Sequence, residues 1–214
     1  MPARKPKEAA LGAAAAAGVA TAAAAEPPRR DVEELIAKIK GKDENARTDA
    51  WVNAGRIGAP AVEPLATVMA DPDLETARAA KRGLWKIVRR AGRPEADRER
   101  KAAVAELAPL LEEGHPDGMR REVLWMLSEI GGKESVKPVA ALLQSRELRE
   151  DARCALERIP GGHSLKALQA AFDSVGDDFK QNIVQSLRKR GVDVEGFPCV
   201  KRKPTKETQV KPLA

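Results

Sequence analysis

The chain contains few residues whose type and spacing suit catalysis. Its two histidines, His115 and His163, fall in separate predicted turns, and no serine or cysteine has the flanking glycines of a nucleophile elbow. No group of cysteines and histidines has the spacing of metal ligands. The paired acids Glu112–Glu113 and Asp177–Asp178 fall at predicted helix ends, where acidic side chains commonly cap the helix. We therefore predict a protein that is not an enzyme and has no catalytic residue, metal or cofactor.

The highest density of positive charge lies in residues 78–101, which hold ten Lys and Arg against three acids. A phosphate-binding surface needs such a density on one face. The candidate anion-binding residues are Arg82, Lys86, Arg89, Arg90 and Arg93. The rest of residues 31–191 carries a compensating negative charge. We therefore favour the alternative that this stretch is a solvated helix face, partly paired with acidic neighbours.

Three tryptophans invite an enzymatic hypothesis, because enzymes that act on an extruded nucleobase need aromatic side chains converging with a carboxylate. Trp51, Trp85 and Trp125 all fall on helices of one type, and Trp51 occupies an apolar position. Packing between helices is therefore the expected role of the tryptophans. The enzymatic hypothesis requires Trp51 or Trp85 to be accessible beside a carboxylate, and burial of both would remove it.

A recurrent amphipathic helix organises the chain. In Met119–Gly131, Arg120 is followed by apolar residues three, four, six, seven and ten places on, and a glycine ends the segment. The same pattern recurs with a leading basic residue at positions 47, 78, 149 and 180. Three of the four intervals are 29 to 31 residues long, and the longer one contains an insertion at 93–101. This period predicts stacked helical hairpins.

Each patterned helix follows a shorter partner helix with its own apolar spacing. The partner helices begin near Val32, Val62, Val104, Val136 and Leu165, so five hairpins fill residues 31–191. A single hairpin is too small to bury its apolar stripe. Stacking joins the stripes into one elongated core.

The helix pattern resembles the short bacterial HEAT-like repeats, a type also found in phycobilisome lyases. Arg47–Gly58, Arg120–Gly131 and Arg149–Ile159 carry it, and the partner helices share a Val-x-Pro start at Val62–Pro64 and Val136–Pro138. The resemblance implies an all-α, right-handed solenoid of about five antiparallel helix hairpins, whose inner helices present a binding surface. We expect both prolines in the first turn of their helices, where a missing N–H costs nothing.

The resemblance implies that the partner helices form the binding surface. We therefore predict that the exposed register positions of these helices contact a protein partner. These residues are Glu63, Thr67, Glu106, Lys137 and Lys166. At these positions the early repeats have acidic residues, and the last two repeats have lysines. Such an arrangement can orient a partner of opposite polarity, although mixed exposed charge is also the default for a protein surface.

The functional prediction is a monomeric, non-enzymatic scaffold or adaptor that binds a protein partner through its inner helices. One alternative is a nucleic-acid-binding protein that uses residues 78–101 and the basic C-terminal tail. A further alternative is an enzyme similar to the HEAT-like DNA glycosylases or the bilin lyases. No local motif in the chain supports the bilin lyases.

The two ends of the chain carry most of the net charge of +6, which leaves the centre nearly neutral. Residues 1–30 have a basic start, an alanine-rich stretch and small residues before Glu26, as in a secretory signal. We favour export slightly over a cytoplasmic location, with a disordered tail as the alternative. We predict that residues 192–214 form a basic disordered tail, that Cys154 and Cys199 are free thiols, and that no segment spans a membrane.

Overall fold

A computed structural model describes residues 29–198, and within that range the chain forms α-helices and no strand. The helices are α1 (Arg29–Lys40), α2 (Glu44–Ile57), α3 (Val62–Val68), α4 (Leu74–Ala91), α5 (Asp97–Leu107), α6 (Asp117–Ile130), α7 (Lys133–Ala141), α8 (Arg149–Arg158), α9 (Gly162–Ser174) and α10 (Asp177–Lys189). Short 3₁₀ turns precede α3 and follow α5 and α7. The helices pair in chain order, as predicted.

The helices stack in two layers around one core. The odd-numbered helices contact one another in sequence, and so do the even-numbered helices. Apolar side chains from both layers form one contiguous buried cluster. Its largest fully buried members include Leu65, Leu84, Leu107, Leu127 and Leu156. The all-α solenoid of stacked hairpins is therefore confirmed.

Local signals set the helix boundaries. The side chain of Asp43 accepts hydrogen bonds from the backbone N–H groups of Asn45 and Ala46 at 2.9 and 3.1 Å, which caps α2. Asp73 caps α4 in the same way, through the N–H of Thr76 at 2.8 Å. Because a side-chain acceptor satisfies N–H groups that lack an intrahelical partner, both aspartates favour a helix start at these points.

The leading arginine of the repeat bonds to the end of the preceding helix in two hairpins. Arg47 donates to the carbonyl oxygens of Ile39 at 3.1 Å and Gly41 at 2.6 Å. Arg120 is buried and donates to the carbonyl oxygen of Leu111 at 2.9 Å. Carbonyl groups at a helix end lack intrahelical donors, so these arginines satisfy them and join the two helices of a hairpin.

The other three leading basic residues form ion pairs, and Arg120 also pairs with Asp117 of its own helix at 3.0 Å. Arg149 bonds Asp178 at 2.6 Å, whereas Arg78 pairs with Glu75 and Lys180 pairs with Asp177 within their own helices. The sequence pattern is therefore shared by all five hairpins, but the contact that it makes is not.

The insertion of the third repeat forms a turn and the start of α5. Glu95 adopts a left-handed backbone conformation (φ 64°), and the helix begins at Asp97. The guanidinium of Arg100 then bonds Glu134 of α7 at 2.9 Å and the carbonyl oxygen of Ile130 at 3.1 Å. The insertion thus brings an additional link between neighbouring hairpins.

The two prolines of the partner helices differ in position. Pro64 lies in the first turn of α3, as predicted. Pro138 lies inside α7, so its predicted position in a first turn is wrong. The reason is that Lys133–Ser135 are already helical immediately after Gly132, which places the helix start before Val136.

The described chain continues beyond the last repeat helix. Val192 and Val194 are partly buried against the core, and the ring of Phe197 lies edge-on to Phe172 with centroids 5.4 Å apart. Residues 1–28 and 199–214, which include the signal-like segment, Cys199 and most of the basic tail, lie outside the described residues. Among residues 29–198, no helix is both long and apolar enough to cross a bilayer.

Candidate functional site

The basic residues of α4 and the following turn divide into two groups. Arg93 donates to Oε1 of Glu99 at 2.7 Å, and Nε of Arg90 lies 3.9 Å from Oε2 of the same carboxylate. The hydrogen bond from Arg93 lowers the pKa of Glu99 below its ordinary value. Two of the five candidate anion-binding residues therefore already face an acid.

The other three, Arg82, Lys86 and Arg89, lie together on α4. They line an open groove of about 540 Å³ between α2 and α4, which we name the tryptophan groove. Its lining residues are Trp51, Arg78, Lys81, Arg82, Trp85, Lys86 and Arg89. Trp51 comes from α2 and all the others from α4, so the contact between these two helices creates the groove.

Cations lie over both indole rings of the tryptophan groove. The Arg82 guanidinium carbon and the Lys86 Nζ are each 5.5 Å from the centre of the Trp51 ring, and the Arg89 guanidinium carbon is 5.7 Å from that of Trp85. These distances are within the range of cation–π attraction. Within residues 29–198, Arg82, Lys86 and Arg89 have no carboxylate oxygen within 4.0 Å.

Trp85 is fixed by a carboxylate on the next even-numbered helix. Its Nε1 donates to Oε1 of Glu122 at 2.6 Å, and Nζ of Lys81 lies 2.6 Å from the other oxygen of Glu122. Trp51 and Trp85 are partly buried, whereas Trp125 is 43% exposed. The condition that would remove the nucleobase-enzyme hypothesis, burial of both groove tryptophans, is thus not met. However, both Glu122 oxygens already accept hydrogen bonds or an ion pair from the protein.

The candidate partner-binding residues lie on four successive odd-numbered helices, and all are exposed. They are Glu63, Thr67, Glu106, Lys137 and Lys166. Thr67 donates its hydroxyl to the carbonyl oxygen of Glu63 at 3.2 Å. In the described part of the chain, none of the four charged members is within 4.0 Å of an opposite charge.

The even-numbered layer differs, because ion pairs link its successive helices. Glu122 on α6 pairs with Lys81 on α4, Arg121 and Glu129 on α6 pair with residues of α8, and Arg149 on α8 pairs with α10. Charge on this layer is therefore largely neutralised internally, apart from the tryptophan groove.

Two open grooves border α5. One, of about 710 Å³, lies between α5 and α7; apolar residues such as Ala108, Pro138 and Leu142 form most of its lining, and Glu112, Glu113 and Arg120 form the rest. The other, of about 520 Å³, runs from the end of α2 to α5 and includes Glu106. Ala105 lines both grooves, so they adjoin along α5.

A polar cluster between α8 and α10 has no counterpart in the sequence predictions. Arg153, 9% exposed, donates two hydrogen bonds to Glu150 at 2.5 and 2.9 Å and one to Glu157 at 3.0 Å. Arg153 also donates to the hydroxyl of Ser186, which donates to Glu157 at 2.7 Å. Hydrogen bonds from Arg153 lower the pKa of Glu150. Burial alone would raise the pKa of Glu157, but hydrogen bonds from Lys189 and Ser186 lower it.

The sequence did contain a signal for this cluster. Arg153 stands four residues after the leading Arg149, where the template has Leu124 and Trp51. An arginine in an apolar register position must find acceptors, because a buried unpaired charge is very costly. The neighbouring Cys154 is a free thiol. Burial raises the pKa of this thiol, although the Arg153 cation opposes the shift.

The remaining candidates for chemistry stay apart from these surfaces. His115 lies in the turn before α6, whereas His163 lies in the first turn of α9 rather than in a separate turn. Among the described residues, no group of three or more His, Cys, Asp or Glu side chains could hold a metal ion.

Comparison with known proteins yields no family model and no curated protein that matches the chain. Solved structures that it is similar to include a designed armadillo repeat protein in complex with the peptide (KR)4, at 18% identity and a TM-score of 0.44, over 72% of this chain and 80% of that one. An engineered protein is 22% identical with a TM-score of 0.41, over 74% and 78% of the two chains. A second designed armadillo repeat protein is 14% identical with a TM-score of 0.32, over 74% and 99%.

Proposed function

We propose that this protein is a non-enzymatic scaffold that binds an elongated protein segment along its odd-numbered helices. The observation that carries the proposal is the row of exposed charges without ion-pair partners among residues 29–198. Glu63 and Glu106 place negative charge on α3 and α5, and Lys137 and Lys166 place positive charge on α7 and α9. Charges that no neighbour neutralises are free to attract and orient a partner.

The contrast between the layers supports this choice of surface. On the even-numbered helices, cross-helix pairs such as Arg121–Asp151 at 3.0 Å and Arg158–Glu129 at 2.6 Å join the stacked hairpins. Among residues 29–198, the Arg100–Glu134 pair is the only ion pair that joins two odd-numbered helices, α5 and α7. The odd-numbered layer therefore keeps more of its charge available for a partner.

The groove between α5 and α7 supplies the apolar part of the proposed surface. Pro109, Leu111 and Leu142 line it with alanines, and the charged residues Glu112, Glu113 and Arg120 complete the lining. Glu106 and Lys137 are chain neighbours of the lining residues Ala105 and Pro138. A matching segment has basic residues toward α3 and α5, an apolar residue over the groove, and acidic residues toward α7 and α9.

Selection from a random peptide display library against the full chain tests the proposal. We expect the selected peptides to carry a basic block and an acidic block separated by apolar residues. The double variant Lys137→Glu with Lys166→Glu should then bind the same peptides at least roughly fivefold more weakly, because it repels their acidic block.

A variant of equal charge change provides the control. Lys42→Glu with Arg146→Glu alters two exposed residues outside the odd-numbered helices, and we expect it to bind like the unmodified chain. Peptides without separated charge blocks, or equal weakening by both double variants, would contradict the proposed surface.

A further inference from the structure

The tryptophan groove combines positive charge with aromatic surface, on the opposite layer of helices from the proposed protein-binding residues. We propose that this groove binds single-stranded nucleic acid. Arg82, Lys86 and Arg89 contact phosphate groups, and the indoles of Trp51 and Trp85 stack on bases. This inference stands independently of the proposed function, because it rests on other residues.

The positive charge of the groove does not serve to stabilise α4. Five of its seven lining residues are cationic and none is acidic. Arg82 and Lys86 stand four residues apart on one helix face, a spacing at which like charges destabilise a helix. Elsewhere on the even-numbered layer, Arg121, Arg149 and Arg158 each have a carboxylate within 3.0 Å. Arg82, Lys86 and Arg89 differ from these three residues, because they have no such partner among residues 29–198 and lie together in one groove.

The spacing of the three cations suits a linear polyanion. The rise of an α-helix places Lys86 about 6 Å along the axis from Arg82, and Arg89 about 4.5 Å further on. A nucleic-acid strand lying along α4 can therefore bring successive phosphates to successive cations. Neutralising phosphates with Lys and Arg releases counterions, which supplies most of the affinity in such complexes.

The indoles favour a nucleic-acid strand over an acidic peptide. An acidic peptide would use the cations alone, whereas unpaired bases also stack on aromatic rings, which is how single strands are commonly held. The cations that lie over the indoles have long flexible side chains, so they can move to phosphates and release the ring faces. The hydrogen bond to Glu122 keeps Trp85 in place, which reduces the entropy lost on binding.

Fluorescence anisotropy of a labelled dodecamer of thymidylate, titrated with the full chain at low ionic strength, tests the charge contribution. The triple variant Arg82→Gln, Lys86→Gln, Arg89→Gln should lose roughly tenfold or more in affinity. It should also reduce the slope of log affinity against log salt by about 2, the value for three lost phosphate contacts. The matched control changes three exposed residues elsewhere, Arg98→Gln, Lys101→Gln and Lys133→Gln, and should retain most of the affinity and the slope.

Two further measurements test whether bases stack on the indoles. Trp51→Leu should weaken binding roughly tenfold, whereas Trp51→Phe, which keeps an aromatic ring, should bind nearly as well as the unmodified chain. A Trp125→Phe protein keeps only the two groove tryptophans, and the oligonucleotide should quench its fluorescence. This measurement remains informative if the Trp51→Leu variant fails to fold.

Several results would overturn the inference. One is the absence of binding at low salt, and another is an equal loss in the two triple variants. Unchanged fluorescence of the Trp125→Phe protein at saturation would exclude stacking. A dodecamer of glutamate that displaces the label as well as unlabelled oligonucleotide would assign the groove to acidic peptides, and tighter binding of a duplex would exclude selection of single strands.

Discussion

Nε1 of Trp85 donates a hydrogen bond of 2.6 Å to Oε1 of Glu122, a residue 37 positions further along the chain. The bond joins α4 to α6, and Lys81 completes it by pairing with the second oxygen of Glu122 at 2.6 Å. This arrangement holds one wall of the tryptophan groove and links two successive hairpins. Local stability and the geometry of the groove are therefore coupled.

A double-mutant cycle measures that coupling. Trp85→Phe removes the indole donor and Glu122→Ala removes the acceptor. We expect each to lower the free energy of unfolding, with a coupling energy of about 1 kcal/mol for the shared hydrogen bond. Urea unfolding of the four proteins provides the values. Effects that add to within about 0.3 kcal/mol would mean that the bond contributes nothing to stability.

The close contact of α2 with α4 depends on Gly55. A Cβ atom at this position would come within 2.9 Å of the carbonyl oxygen of Lys86. We therefore expect Gly55→Ala to lower the free energy of unfolding by about 1–3 kcal/mol, although alanine is the better helix former. The matched control is Gly118→Ala in α6, where a Cβ atom meets nothing within 4 Å. It should be neutral or stabilising, and a stabilising Gly55→Ala would contradict the close packing.

The Arg153 cluster predicts a pH dependence of stability. Hydrogen bonds from Arg153 hold the pKa of Glu150 below its ordinary value of 4.5, so the folded protein binds fewer protons there than the unfolded chain. The stabilisation is therefore fully present above about pH 4.5 and is lost as the pH falls through the folded-state pKa. Glu150→Gln should reduce stability at pH 7, and its difference from the unmodified chain should shrink toward pH 3. Glu147→Gln, at an exposed acid in the same hairpin, serves as the control, and a pH-independent difference for Glu150→Gln would argue against this assignment.

Cys154 is expected to react slowly with thiol reagents. Burial raises the pKa of its thiol, which leaves less of the reactive thiolate at neutral pH. In a Cys199→Ser protein, alkylation by iodoacetamide at pH 7.5 should be slower than that of the same protein unfolded in urea. Alkylation at the same rate in the two states would contradict this environment.

The repeat pattern predicted the fold because helical geometry fixes the spacing of a buried stripe. Val123, Leu124 and Leu127 are all buried, as their spacing after Arg120 requires. The contacts between hairpins follow no such local rule. Nothing in the sequence near Trp85 indicates Glu122 as its partner, and the same is true of Arg153 and Ser186, which lie 33 positions apart.

Helix periodicity also made part of the candidate surfaces predictable, because it identifies which residues are exposed. The exposure of Glu63 and Lys137 follows from helix periodicity, and both residues are exposed in the structure. Helix periodicity does not predict which basic residues of the stretch 78–101 face an acid. That depends on Glu99, which folds back toward Arg93 after the turn at Glu95. Likewise, Trp51 comes to face Lys86 only through the close approach at Gly55.

The proposed scaffold function is tested most directly by the order of charges in a bound peptide. Two peptides of identical composition are compared by calorimetry. One has four lysines, a short apolar centre and four glutamates, and the other has the lysines and glutamates alternating. We expect the full chain to bind the block peptide about tenfold more tightly than the alternating one. The Lys137→Glu, Lys166→Glu variant should lose that preference. Equal affinity of the unmodified chain for the two peptides would contradict the proposal that its odd-numbered helices bind a partner of opposite polarity.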